Sequence, residues 1–267
     1  MKRVSILGCG RVGMTLGKEL AQAGYAVKGS TTCHERFHQL QLLGIEPVKL
    51  TFTPKPEGEL DNLLDADALV VCLTPPGRDS GYTYNDQLSA ISKAAKKAGI
   101  KQVILTGATF IYPLSNNEVT EEDVDSQKSA FMGLDWLDAE NALRSANPEA
   151  VTILRLAGLM GEGHNAAAYF SGRPMAGADA PVNMIHQEDV AGVIRQLIEQ
   201  DVCGEVFNLC APLHPSRREF YTLASEKAGI PAPQFTDEPK PYRIVNCDKL
   251  QAKLDYTFRH PDPLKAL

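Results

Sequence analysis

Apolar positions along the chain recur at two spacings, and the switch between them marks out alternating strands and helices. A short apolar run, Val4, Ile6 and Leu7, gives way to helically spaced Val12, Leu16, Leu20 and Ala23, with Gly24 placed to end that helix at C′. Tyr25 to Gly29 reads as a second strand, Phe37, Leu40 and Leu43 as a helix stopped by Gly44, and Glu46 to Leu50 as a third strand. Thr53-Pro54-Lys55-Pro56-Glu57-Gly58 is a loop by its composition. Ala68 to Leu73 is continuously apolar, as expected of a parallel strand covered on both faces, and ends in the rigid loop Thr74-Pro75-Pro76-Gly77. Leu88, Ile91, Ala95 and Ala98 mark a helix closed by Gly99, and Val103 to Leu105 the next strand.

Further on, the pattern predicts a long helix over Lys128 to Ala146 and a strand over Val151 to Leu156. A helix carrying Val190, Val193, Ile194, Leu197 and Ile198 follows, begun by Glu188 and Asp189 near its positive end, and then a strand over Val206 to Leu209. Ser216-Arg217-Arg218-Glu219 is a capping box ahead of Phe220, Leu223 and Ala224, with Gly229 and Pro231 closing that helix. Beyond Pro231 the density of prolines predicts a tail wrapped over the surface.

The first turn carries the sharpest chemistry. Gly8, Gly10 and Gly13 stand as G-x-G-x-x-G between the first strand and the first helix. Gly8 permits a tight turn, Gly10 lets a pyrophosphate approach the backbone, and Gly13 lets the helix sit close to the sheet. The amides at the start of the helix, at Arg11 and Val12, complete a site for phosphates. With strands and helices alternating, this predicts an α/β fold, a Rossmann-like doubly wound parallel sheet with right-handed crossovers. Residues 1–156 form the dinucleotide-binding domain, with residues 186–210 returning to it, and residues 157–267 are mainly a small C-terminal substrate lobe.

Composition narrows the partners. Hydrophobic residues make up 43% and charged residues 22% of 267, an ordinary globular balance. A net charge of −6 with no lysine/arginine run argues against nucleic acid, and no apolar stretch is long enough for a membrane span. Cys9, Cys33, Cys72, Cys203, Cys210 and Cys247 form no C-x-x-C pair or metal-ligand spacing. They read as reduced thiols, which together with the absence of a signal-peptide pattern gives a cytoplasmic location as the expectation. If the chain assembles, a homodimer is the default.

The choice of cofactor is written at the end of the second strand. An NAD-specific fold places a carboxylate there for the ribose hydroxyls. Here Ser30, Thr31 and Thr32 occupy the place, with Arg36 a turn further on and Arg11 inside the glycine loop. Hydroxyls with a nearby arginine accept a 2′-phosphate that a carboxylate would repel, so NADP is expected over NAD. Leu73, Thr74 and Pro75, at the edge where such sheets bind ligands, and Thr106 are further cofactor-binding candidates.

Four segments resemble the extended short-chain dehydrogenase/reductase superfamily, relatives of the nucleotide-sugar epimerases and dehydratases. Thr106-Gly107-Ala108-Thr109-Phe110-Ile111-Tyr112 looks like its strand ending in Ser-Ser/Thr…Val-Tyr. Arg155 to Gly161 is similar to its Arg-x-x-x-x-Tyr-Gly segment, Met184 to Ala191 to its Ile-His-x-x-Asp-hydrophobic-Ala element, and Val206-Phe207-Asn208 to its Val-Tyr-Asn strand. The resemblance spans nearly the whole chain and is to the atypical, YeeZ-like branch. It implies an NAD(P)-dependent oxidoreductase, or an epimerase/dehydratase-like protein, with a carbonyl compound or nucleotide sugar as small-molecule substrate. The segment from Gly8 to Gly29 also looks like the opening of hydroxyacid dehydrogenases of the 6-phosphogluconate type, which continue into an all-helical domain.

The family's proton relay is a Tyr, a Lys four residues later and a Ser/Thr holding the substrate oxygen. Aligning Tyr112 with the family's Val-Tyr puts Ala108 at the Ser/Thr position, and aligning the helix segment Glu140-Asn141-Ala142-Leu143 puts Met132 and Trp136 at the Tyr and Lys positions. Thr109 and Tyr112 remain as the catalytic candidates, with Thr106 as another oxygen holder and Asp135 or Asp138 as a base. Each has a plainer role open to it: Thr109 beside the nicotinamide ribose, Tyr112 as a pocket wall, the two Asp as solvated helix residues. His186 and Asp189 are expected to order the start of their helix, and Arg155 and Arg173 to bind a substrate phosphate or to form salt bridges. No metal site is expected. The sequence therefore supports an enzyme with a replaced relay, and beside it a non-catalytic NADP(H)-binding sensor or regulatory protein.

Overall fold

The structure is a computed structural model that describes residues 2–77, 79–124 and 136–267. In chain order the elements begin with β1 (Arg3–Leu7), α1 (Arg11–Gln22), β2 (Ala26–Thr31), α2 (Phe37–Leu42), β3 (Ile45–Thr51), β4 (Glu57–Gly58) and α3 (Leu60–Leu64). Next come β5 (Ala68–Val71), α4 (Tyr84–Lys97), β6 (Gln102–Ala108), β7 (Glu118–Val119), α5 (Trp136–Arg144), β8 (Val151–Leu156) and β9 (Gly158–Met160). The remainder are β10 (Pro174–Met175), β11 (Met184–His186), α6 (Gln187–Glu199), β12 (Val206–Leu209), α7 (Arg217–Ala228), β13 (Gln234–Phe235), β14 (Ile244–Val245) and α8 (Asp248–Leu254).

Eight strands join one sheet in the order β12-β8-β6-β5-β1-β2-β3-β4. The pairs β1–β2, β1–β5, β2–β3 and β5–β6 are parallel, and the short β4 is antiparallel to its neighbour β3. This is the expected doubly wound α/β sheet. Its direction of growth reverses between β1 and β5, since β2 and β3 lie on one side and β5 and β6 on the other. That reversal opens a crevice at the strands' carboxyl ends, the usual place for a ligand. Strand β5 pairs on both sides, and all four of its residues are fully buried, which accounts for its unbroken apolar sequence. Burying one such Val or Leu contributes about 2 kcal/mol.

Local signals set the helix ends. The Thr83 hydroxyl accepts from the Asp86 amide while the Asp86 carboxylate accepts from the Thr83 amide, a capping box at the start of α4. Ser216 and Glu219 do the same for α7, as their spacing predicts. The predicted helix from Lys128 shows as α5 from Trp136 onward; residues 128–135 lie outside the described residues.

The chain divides into two compact units. The first holds Met1–Ala108, Ala130–Leu154 and Ala191–Val206, and the second Thr109–Ser129, Arg155–Val190 and Phe207–Leu267. The first unit's core is built on Leu7, Val48, Leu69, Leu88, Ile91, Leu105 and Ile153. In the second unit, parallel pairs β9–β11, β10–β13 and β7–β14 tie distant segments together, which sets the all-helical alternative aside. Met160, Met184 and Phe220 form a core there, with Leu264 and Leu267 against it. The surface-tail expectation beyond Pro231 is corrected: β13, β14 and α8 are ordered elements, and Val245, Leu250, Leu254, Tyr256 and Phe258 are buried. The prolines at 231, 233, 239 and 241 break helices only between these pieces, while Leu250 and Leu254 share one face of α8. Among the described residues, no helix is long and apolar enough to cross a membrane.

Candidate functional site

The carboxyl ends of β1, β2, β5 and β6 bring the predicted nucleotide-binding residues together in the first unit. Gly8 leaves β1 with φ +100°, a backbone conformation that a side chain disfavours, and a Cβ there would come within 3.0 Å of the Cys72 carbonyl oxygen. Gly13 is fixed by packing, because a Cβ would fall 2.5 Å from the Gly8 carbonyl oxygen. Gly10 differs from both. It has φ −81°, and among the described residues a Cβ would meet nothing within 4 Å, so no described neighbour demands a glycine there. Gly10 is also the N-cap of α1, it offers no capping side chain, and the first turn of α1 has no acidic residue. Open space beside a bare, uncapped helix start fits a pyrophosphate brought against the backbone.

Two hydroxyls at the end of β2 are turned inward. Ser30 is buried and its Oγ accepts from the Gly8 amide at 2.8 Å, and the Cys9 amide donates to the Ser30 carbonyl at 2.9 Å. Thr31 is 8% exposed, and its Oγ1 accepts from the Cys33 amide at 3.2 Å. Thr32, Arg36 and Arg11 are exposed. The thiol of Cys9 is pushed up to about 12, chiefly by burial and then by Cys72, while the Arg36 cation pulls it back. On the other side of the crevice, Cys72 donates its amide to the Leu7 carbonyl at 2.8 Å, and Thr106 Oγ1 donates to the Val71 carbonyl at 3.1 Å. Thr74 is exposed, Leu73 and Pro75 half-buried. A residue that sequence reasoning passed over holds this loop: the buried Tyr84 donates its hydroxyl to the Leu73 carbonyl at 3.1 Å.

A family described as NAD(P)H-binding matches residues 8–201 of the chain, a span that starts at the glycine loop. The chain belongs to this NAD(P)H-binding family. Protein YeeZ of Escherichia coli strain K12 is 32% identical over 272 residues, which cover 99% of this chain and 98% of YeeZ. Among solved structures, MoeE5 in complex with UDP-glucose and NAD is similar at a TM-score of 0.79 and 16% identity, over 99% of this chain and 96% of that one. UDP-glucuronic acid 4-epimerase from Bacillus cereus in complex with NAD is similar at 0.78 and 16%, with the same coverage. The YeeZ-like resemblance, drawn from the segments around Thr106, Arg155, His186 and Asn208, is borne out by YeeZ, and the two solved structures share the fold.

Against that family background, the relay positions stand as follows. Ala108 ends β6. Trp136 begins α5, half-buried, with its ring edge-on to Tyr84 at 6.2 Å. Met132 and Asp135 lie outside the described residues, and Asp138 is exposed on α5.

Thr109 and Tyr112 are in the second unit. Thr109 is 7% exposed in a short 3-10 turn. Tyr112 is 1% exposed; its hydroxyl donates to Asn208 Oδ1 at 2.5 Å and accepts from the Arg155 guanidinium at 2.8 Å. Arg155, also buried, donates to the Glu121 carbonyl at 3.0 Å, and the Glu121 carboxylate accepts from the Asn208 amide at 2.7 Å. Arg243 donates to the Tyr112 carbonyl, and burial holds its pKa below the usual arginine value. Arg173 is exposed and lies over the Tyr169 ring.

Asp189 is fully buried and accepts the Tyr256 hydroxyl at 2.9 Å and the amides of Arg259 and His260 at 2.7 and 3.0 Å. His186 accepts the Glu188 amide at 3.3 Å. Both residues thus order the start of α6, and Asp189 also anchors the chain at 256–260.

Proposed function

We propose that the chain binds NADP(H) through the glycine loop and acts as an NADP-dependent oxidoreductase or epimerase-like enzyme whose proton relay has been replaced. Gly10 carries this reading, because a glycine with ordinary φ and empty space around its missing side chain is explained by a ligand and not by the fold. Gly8, Gly10, Gly13 and the amides of Arg11 and Val12 would hold the diphosphate. Leu73, Thr74, Pro75 and Thr106 would line the nicotinamide side. When bound, the nicotinamide supplies or accepts a hydride.

Preference for NADP is supported by the end of β2. Ser30 and Thr31 spend their hydroxyls on the protein, which leaves Thr32 with Arg36 and Arg11 to meet a 2′-phosphate. The substrate proposed is a small carbonyl compound or a nucleotide sugar, the latter class supported by MoeE5 and the Bacillus cereus epimerase, and residues 157–267 are assigned to binding it. Thr109 is kept as the oxygen-holding candidate, and Tyr112 is given a positioning role through Arg155. Six free thiols support a cytoplasmic protein, and a homodimer is the assembly we assign.

A second reading has its own support. Ala108 and Trp136 stand at relay positions and the Tyr112 phenol is sealed in hydrogen bonds, which favours a sensor that binds NADP(H) without turnover.

Titration of NADPH and NADH by fluorescence, on the wild type and on Gly10→Val, tests the binding claim. NADPH is expected to bind at least tenfold tighter than NADH, and Gly10→Val to lose about 100-fold in NADPH affinity, close to 2.7 kcal/mol, with an unchanged melting temperature. Wild-type affinity in that variant would falsify the assignment of the site. Tight binding without turnover across a panel of carbonyl compounds and nucleotide sugars selects the sensor.

A further inference from the structure

We propose that His186, Glu188 and His260, in the second unit, form a binding site for a divalent transition cation of the Zn2+ class. The sequence shows no ligand spacing of the usual kind, because His260 lies 72 residues beyond Glu188. Folding nevertheless brings one ligand atom from each of the three residues within 4.8 Å of the others. His260 Nε2 is 2.8 Å from Glu188 Oε2, and His186 Nδ1 is 3.9 Å from the same oxygen. A tetrahedral zinc with bonds of about 2.1 Å separates its ligand atoms by about 3.4 Å, a value these two distances straddle. Closing the set calls for rotation of Glu188 and His260, whose side chains are 51% and 28% exposed.

Two imidazoles and one carboxylate are the donor set that zinc and its first-row neighbours favour over calcium or magnesium. The ligands are also individually prepared. His186 already presents Nδ1 as an acceptor, engaged only by the long 3.3 Å contact with the Glu188 amide. Its ring is held in place with centroids 3.8 Å from that of His260. A cation replaces the hydrogen that His260 and Glu188 share. The backbone of His260 is fixed by Asp189, whose buried carboxylate accepts the His260 amide at 3.0 Å, the kind of outer support that orients metal ligands. Three protein ligands leave one position open to water or to a small anion. Such a site fastens the chain at Arg259-His260 to the start of α6, so metal binding is linked to the stability of the second unit.

The test is Zn2+ binding to the full chain, stripped with a chelator, measured by competition with a chromophoric chelator and by the visible absorption of Co2+. His260→Asn and Glu188→Gln are the variants. Because Cys33 and Glu35 are in contact at 2.6 Å and offer a background site, all proteins carry Cys33→Ser. One equivalent of Zn2+ is expected, bound at least tenfold more tightly than by either variant, with Co2+ bands that both variants lose and a melting temperature that rises with Zn2+ only in the parent. Far- and near-ultraviolet circular dichroism of the metal-free proteins serves as the folding control. Should His260→Asn fail that control, Glu188→Gln decides, since its side chain is half exposed and isosteric. Equal Zn2+ affinity in parent and variant, or no stoichiometric binding by the parent, overturns the site and leaves the three side chains as a hydrogen-bonded latch.

Discussion

The start of α1 and the surroundings of Tyr112 are both rich in polar groups, yet the two regions end in opposite conditions. At Gly10 the backbone turns into a helix with no capping side chain and with empty space where a Cβ would stand. Around Tyr112 the donors and acceptors are spent on one another: phenol on Asn208, guanidinium on phenol and on the Glu121 carbonyl, carboxylate on the Asn208 amide. Buried polar groups have to be satisfied, and a group that the protein leaves open at a crevice waits for something else. On the function proposed above, the first region receives a ligand and the second holds its own chain segments in register. Chemistry-bearing residue types occur in both, so residue type alone does not tell them apart.

Three substitutions probe this contrast. The largest effect is expected for Arg155→Met, which removes the charged donor from two buried acceptors. It should cost about 3–5 kcal/mol, a fall in melting temperature of roughly 10 °C, with NADPH affinity unchanged in the folded fraction. Thermal unfolding and cofactor titration on the same samples check it; a large loss of affinity at full stability would erase the distinction. Tyr112→Phe comes next, at about 2 kcal/mol, because Asn208 and Arg155 each lose a partner in a buried setting. Assayed below its melting temperature it should turn over as the wild type does if Tyr112 only positions its neighbours. A drop of about 100-fold there would make it an acid/base group and sharpen the comparison in the other direction. The smallest effect is expected for Ser30→Ala. It frees the Gly8 amide and should weaken both NADPH and NADH by only a few-fold, about 1 kcal/mol. A selective loss of NADPH would instead show that Ser30 itself meets the 2′-phosphate.

What could be read in the sequence follows the distance between partners. The glycine loop, the capping box at Ser216 and the buried run of β5 depend on neighbours within a few residues, and each is where its spacing places it. The three hydroxyls at the end of β2 were visible as residue types, but not the inward turn of Ser30, which depends on a partner 22 positions away. The bond between Tyr112 and Asn208 spans 96 positions and that between Tyr112 and Arg155 spans 43, so no local pattern announces them. Resemblance singled out all three residues; only the fold shows that they touch. The chain beyond Pro231 was misread because proline density outweighed two weaker signals, the Ile244-Val245 pair and the i,i+4 leucines of α8.

The anchoring of residues 256–260 by Asp189 bears on how the molecule is made. During synthesis this carboxylate emerges 67 residues ahead of the tyrosine it will bind. Until then it stays hydrated in water, so the early part of the second unit carries a charge where a finished core would be dry. Domains generally mature from the amino end as the ribosome proceeds. Here the glycine-loop unit also waits for a late piece, residues 191–206, and the second unit for the chain's last residues.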